Sequence, residues 1–333
     1  MVILPIAIWE NDLKEDLRVG FLGAGGFATH TIYPALHFAP LVLKAICDMD
    51  VEKADRNAKK FGGGTNVYAD RHRMYQNEDL EAIVISMGPE FRFPLVIEAL
   101  EAGYHVFTPK PPAASLEATI KLADVARANN RKLMINFQRR FSIGVRSAIE
   151  IMAQDSFGQI SQIFCSFCSG AYGTPQIYLL DFAIHHFDLI RHLGGEVKTV
   201  STFHNEIDGQ GSFAVSVEFE SGAVGIMQLN SQRLWSRNYD RIEITGQGQY
   251  IVLDGLWTIQ HYTGDQNTFT DNFSDQRNGE LTGDGVSLTE FVHAIREDRE
   301  PVASIDDCIG TMKLYDAVLQ TQQGEATIVS LDQ

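Results

Sequence analysis

An apolar run, Leu17–Leu22, breaks into Gly23-Ala24-Gly25-Gly26-Phe27-Ala28 and continues as an amphipathic stretch. A G-x-G-x-x-A pattern set between a strand and a helix permits a tight turn and a close approach of backbone to a pyrophosphate. It also aims the free N–H groups and the positive dipole end of the helix at that anion. Asp48 lies 20 residues beyond Ala28, at the end of the next apolar run, where a carboxylate accepts hydrogen bonds from ribose hydroxyls. The pair implies a bound dinucleotide touching Gly23, Gly25, Gly26, Phe27, Ala28 and Asp48, with Ser86 beside them. It favours NAD over NADP, because a carboxylate repels a 2′-phosphate and the residues after it are Met49 and Asp50.

The chain keeps this rhythm as far as Phe137. Strands are expected at Leu17–Leu22, Val42–Cys47, Ala82–Ser86, His105–Thr108 and Leu133–Phe137, and helices at Phe27–Phe38, Val51–Phe61, Phe93–Ala102 and Leu116–Asn129. Strand and helix in alternation mean crossover units and a parallel sheet. The expectation is an α/β protein whose N-terminal Rossmann-type, doubly wound parallel sheet occupies residues 1–138, with 1–16 as an N-terminal extension. From 139 to 333 a helix (Ile143–Met152), a strand (Ile160–Ser169) and a helical stretch (Tyr178–Leu193) lead into strand-like runs. These are Val197–Asn205, Ser212–Glu220, Ala223–Asn230, Asp240–Thr245 and Tyr250–Leu253, with helices after them at Ser287–Glu297 and Asp306–Gln322. Short turns between successive strands indicate an α+β domain with a large, open, mostly antiparallel sheet. Asp265–Asp284 reads as a long surface loop.

Composition removes several functions. Lys and Arg number 27 against 43 Asp and Glu, a net charge of −16, so neither nucleic acid nor an anionic membrane surface fits as partner. Met1–Trp9 is apolar but lacks a preceding positive charge, so it reads as neither signal peptide nor membrane span, and the expected compartment is the cytoplasm. The four cysteines are too few for a disulfide framework, and Cys165 and Cys168, three apart on a strand, read as buried strand residues rather than a redox pair. No metal site is expected. The alternating runs Phe213–Val217 and Ala223–Met227 leave one sheet face needing cover, which implies a homodimer or homotetramer through the C-terminal sheet.

Two groups carry candidate chemistry. Lys110 sits just past a parallel strand's C-terminal end, where open α/β sheets bind ligands, and its ammonium would steady a forming alkoxide. Asp181 and His185, four apart on a helix, would stand on one face as a general base and its orienting acid. Asp188 and His192 continue that stripe, and His186 points elsewhere. Lys110, Asp181 and His185 are expected to act together in one cleft between the two domains. Gln138 and Arg139 or Arg140 are expected beside cofactor or substrate; Tyr172, Trp235, Arg237 and His261 are substrate candidates by residue type.

Gly23–Ala28, Asp48, Ala99–Phe107, Lys110-Pro111 and the Asp181–His185 spacing, taken in order, resemble the Gfo/Idh/MocA family. The resemblance covers the chain from about Leu17 and is densest in the first domain. It implies an NAD(P)-dependent oxidoreductase acting on CH–OH groups of sugars, cyclitols or related small polyols. It also implies that Lys110 contacts both nicotinamide and the reacting hydroxyl, and that Asp181 and His185 are catalytic. Three positions depart from the family pattern: Pro109 stands where a glutamate is usual, Pro89 where an asparagine is usual, and Arg92 where a histidine is usual, which would give a new cofactor contact or an added cation for an acidic substrate. Relatives of other kinds leave two alternatives: a dinucleotide-binding regulator without catalysis, and a glycosidase that retains its NAD.

Overall fold

Uninterrupted aliphatic strands form where both faces of a sheet are covered. Strand β4 (Ala82–Ile85) is of this kind, and so is β1 (Leu17–Leu22) apart from Arg18, with Leu17, Val19, Phe21, Ile83 and Ile85 fully buried. In the computed structural model of this chain the described residues are 15–235, 239–264, 266–271, 282–322 and 328–331. Nearly all of the N-terminal extension, Arg237 and positions 272–281 of the expected loop lie outside them.

The described residues gather into two units. The first holds those up to Gln138 together with Gly283–Ile309. Its sheet has the order β3-β2-β1-β4-β5-β6, with every neighbouring pair parallel. Here β2 is Leu41–Cys47, β5 is His105–Pro109 and β6 is Leu133–Asn136. The edge strand β3 (Asn66–Tyr68) has three residues and one aliphatic side chain, too little to show as a strand in the sequence. Helix α1 runs from Ala28 to Phe38, opening as a π turn and closing as a 3-10 turn. After it come α2 (Val51–Phe61), α3 (Arg71–Asn77), α4 (Pro89–Glu101) and α5 (Leu116–Ala128). Asp50, Asp70 and Ser115 cap α2, α3 and α5 by accepting backbone N–H groups, which fixes where each begins.

The returning segment completes this unit. Helix α8 (Asp284–Arg296) brings Phe291 to 5.5 Å from the Phe107 ring, and Asp284 accepts the Asn136 Nδ2–H at 2.9 Å. Beyond it, Ala303 O accepts the Ile135 N–H at 3.0 Å, extending the hydrogen bonding past β6.

The second unit, Arg139–Thr282 with the described residues from Gly310 onward, is built on a nine-stranded sheet ordered β14-β13-β12-β11-β7-β10-β9-β8-β15. All its pairs are antiparallel except β7 (Gln162–Cys168) with β10 (Val224–Asn230). The others are β8 (Val197–Ile207), β9 (Gln210–Phe219), β11 (Tyr239–Thr245), β12 (Tyr250–Asp254), β13 (Thr258–Tyr262), β14 (Asn267–Asp271) and β15 (Val329–Ser330). Residues 267–271, expected within a loop, are instead a strand. They pair with β13 along the backbone, every side chain being exposed, so no apolar alternation marks them. Cys165 and Cys168 are buried free thiols, and burial pushes both pKa values up, which keeps them unreactive.

Helix α6 (Ile143–Met152) precedes β7, and α7 spans Pro175–Gly194 with a π segment over Tyr178–Ala183. Residues Ala183 to Leu193 of α7 are buried except His192, so this helix is wrapped on nearly every side. The last helix, α9, is Ile305–Gln322.

Candidate active site

The glycine turn after β1 is shaped by its neighbours. Gly23 holds φ at +107°, and a Cβ there would lie 2.3 Å from Ser86 O, so only glycine fits. The Tyr33 hydroxyl donates to Gly23 O at 3.0 Å, bracing the turn from α1. Asp48 accepts the Ala24 N–H at 2.6 Å with one oxygen and the Asp50 N–H at 2.8 Å with the other, tying the turn to the end of β2. At Gly25 and Gly26 the outcome is opposite: a Cβ would meet nothing within 4 Å, and both residues are exposed. The backbone is thus bare where a pyrophosphate would approach, and the helix beyond it opens at Ala28, which is buried while Phe27 is 54% exposed. This cradle fits a dinucleotide.

Along the same sheet, Lys110 comes directly after β5 and is half-buried, and its bond to Pro111 is cis. Arg92 on α4 is only 5% exposed. Its guanidinium donates to Lys110 O at 3.2 Å and to Pro111 O at 2.5 Å. Arg92 thereby holds the Lys110 loop by two carbonyls. Gln138, half-buried, opens a short 3-10 turn at the end of this unit.

In the second unit Asp181 lies in the π segment of α7 and His185 in the α-helical part, where His185 is 7% exposed. A π turn inside an α-helix is rare and frequent at functional sites. The Tyr172 hydroxyl donates to Asp181 Oδ2, so Tyr172, a candidate by type, is joined to a candidate by pattern. His186 faces the other way, with its Nε2 3.1 Å from Asp240 Oδ1. Asp240 also pairs with Arg139, whose guanidinium lies 4.2 Å over the Phe167 ring. Burial works to raise the Asp240 pKa, but Arg139 and His186 outweigh it and bring it to about 2; burial keeps His186 low in spite of Asp240. Arg139 is thereby committed to this pair. Arg140 grips Asp188 with two bonds at 2.7 and 2.5 Å, which anchors α7. His261 stays on β13 with its Nε2 2.9 Å from Gln249 Oε1. Asp240 was not found in the sequence because its partners are 54 and 101 residues away.

Among the described residues no three His, Cys, Asp or Glu side chains gather as a metal site, and no helix is long and apolar enough to cross a membrane. Residues 17–137 match the family described as "Oxidoreductase family, NAD-binding Rossmann fold", and residues 145–252 match its partner pattern, "GFO/IDH/MocA C-terminal domain". The chain belongs to the Gfo/Idh/MocA family. The first of these two patterns is that of NAD-binding oxidoreductases. This family member is 28% identical over 197 residues to inositol 2-dehydrogenase 4 of Saccharopolyspora erythraea, a match covering 57% of this chain and 58% of that one. Among solved structures it superposes on a dehydrogenase from Chromobacterium violaceum with a TM-score of 0.87 at 23% identity, covering 93% and 97% of the two chains. It superposes on levoglucosan dehydrogenase in complex with NADH and levoglucosan with a TM-score of 0.83 at 21% identity, covering 96% of this chain and all (100%) of that one.

Proposed function

We propose that this Gfo/Idh/MocA protein transfers a hydride between NAD and a hydroxyl-bearing carbon of a sugar, cyclitol or related small polyol. The observation that carries the reading is Asp181 in the widened turn of α7 with His185 four residues on, in the α-helical part of the same helix, in a chain of this family. The inositol and levoglucosan dehydrogenases it is similar to are named for substrates of that class. NAD, when bound, supplies the hydride acceptor; the protein supplies the rest.

In this reading His185 takes the proton from the reacting hydroxyl, imidazole being the side chain whose ordinary pKa lies nearest neutrality. Asp181 orients it and balances the charge it gains. Lys110 meets the oxygen as negative charge develops, with its backbone held by Arg92. Asp48 takes the ribose hydroxyls and disfavours a 2′-phosphate. The assembly belonging to this reading is a homodimer or homotetramer built through the nine-stranded sheet.

Purified protein mixed with NAD and a panel of cyclitols and pyranoses is expected to produce reduced cofactor. His185→Ala is expected to lower turnover by roughly 10²–10⁴-fold, the usual cost of losing a general base, with NAD affinity retained. An alanine variant that keeps full turnover on the substrate found would overturn the assignment.

A further inference from the structure

Trp235 is 49% exposed, yet it is held on several sides. A Cβ on Gly170 would lie 2.5 Å from the indole Cδ1 and 2.8 Å from Nε1, so the ring is seated on bare backbone that any side chain would fill. Its Nε1–H donates to Ala171 O at 3.3 Å. The Tyr172 and Phe182 rings flank it, each with its centroid 5.8 Å away, the second edge-to-face. Phe182 in turn stacks on Phe167 at 4.2 Å and 5°. The indole is therefore a fixed plate, propped by an aromatic stack, with half its surface open.

What stands beside the plate decides what it suits. The Tyr172 ring that packs on Trp235 sends its hydroxyl to Asp181, which places a carboxylate one tyrosine away from the open indole. Tyr172 is itself pinned, its N–H donating to Gln210 Oε1 at 2.8 Å. An apolar plate bordered by a carboxylate and a phenol complements a molecule with one C–H face and hydroxyls at its rim. A cyclic polyol has that form. An open-chain polyol does not, and it would lose more rotational freedom on flattening against the ring.

We propose that Trp235 is a stacking platform for the C–H face of a ring polyol, a cyclitol or pyranose, and sets the preference of this protein for cyclic over open-chain substrates. The inference rests on the polyol reading above and adds the ring requirement to it.

Tryptophan emission reports on the plate directly, since the chain has 3 tryptophans: Trp9, Trp235 and Trp257. The NAD-loaded protein is titrated with myo-inositol, methyl β-glucopyranoside and the open-chain hexitol sorbitol. A saturable emission change is expected with at least one ring probe, with sorbitol at least tenfold weaker, and the change is expected to vanish in Trp235→Ala. KM for the ring probe should rise tenfold or more in Trp235→Ala and in Gly170→Ala, which unseats the indole without removing it. Trp235→Phe should restore most of the loss, and kcat should change far less than KM. Equal responses to ring and open-chain probes, or no response to any probe, would overturn the proposal. So would a Trp235→Ala variant with unchanged KM whose light-scattering mass falls, because the plate would then be covered by a second copy. Ring-specific quenching with no NAD reduction would support the platform while refuting hydride transfer.

Discussion

The two terminal nitrogens of Arg92 go to the carbonyls of Lys110 and Pro111. This cation works on the backbone of the loop that carries the proposed ammonium. Arg92→Met should leave both carbonyls under-satisfied and let the loop shift; a displacement near 1 Å at a reacting group costs up to about 10²-fold in turnover. Steady-state rates beside NAD binding check this: turnover falls, affinity holds, and Arg92→Lys recovers part of the loss. His105 supplies a different expectation. Burial first, and then the Arg131 and Lys132 charges, push its pKa down to about 4, and its Nδ1 accepts the Lys132 N–H at 3.0 Å. Its folded pKa lies below the ordinary value, so on acidification the unfolded chain binds the proton first and stability drops as pH falls from about 6.5 to 4. The loss should be roughly 1–2 kcal/mol at pH 5 once solvent screening is allowed for. Thermal melts across that window should show a flatter slope for His105→Gln, with part of the remaining slope carried by His186 and His261, whose pKa values burial also lowers.

Among the elements, the turn after β1 separates two uses of glycine. Gly23→Ala meets Ser86 O and an unfavourable φ together, so it should cost roughly 1–3 kcal/mol and lower Tm even without NAD. Gly25→Ala enters open space; Tm should hold while NAD affinity falls at least tenfold, as melts and a binding titration would show. This turn was legible because everything that defines it is local: glycines at fixed offsets, a strand before and a helix after. The strands β1, β2, β4, β5 and β6 were legible for the same reason, each an apolar run of ordinary length. β3, β14 and β15 were not, since two or three residues, or a wholly exposed strand, are specified by pairing with distant chain. The π segment of α7 was hidden too. Asp181 and His185 keep their spacing of four whether the turn is α or π, and sequence periodicity does not tell the two apart. The acid–arginine pairs at Asp240 and Asp188 join residues 101 and 48 apart, beyond the reach of any local pattern.

For the molecule as a whole, the nine-stranded sheet buries Phe213, Val215 and Val217 on one face, whereas Phe203 is 79%, Val224 47% and Ile226 38% exposed. Exposed apolar groups of this size on one sheet suit a second copy of the chain. Light scattering should return a multiple of 37.1 kDa at micromolar protein, and Ile226→Glu should lower it. The other sheet has a property of a different kind. Its β6 flank is finished by Gly283–Ile309, through Phe291 on Phe107, Asp284 on Asn136 and the Ala303 carbonyl on Ile135. A ribosome makes that strip only after it has made the strands of the second sheet from β7 to β14. At about 5–20 residues per second the wait is on the order of ten seconds. Through that interval the nascent nucleotide fold stands with its β6 flank unclosed, a natural client for whatever holds unfinished chains at the tunnel exit; what is begun first is closed late.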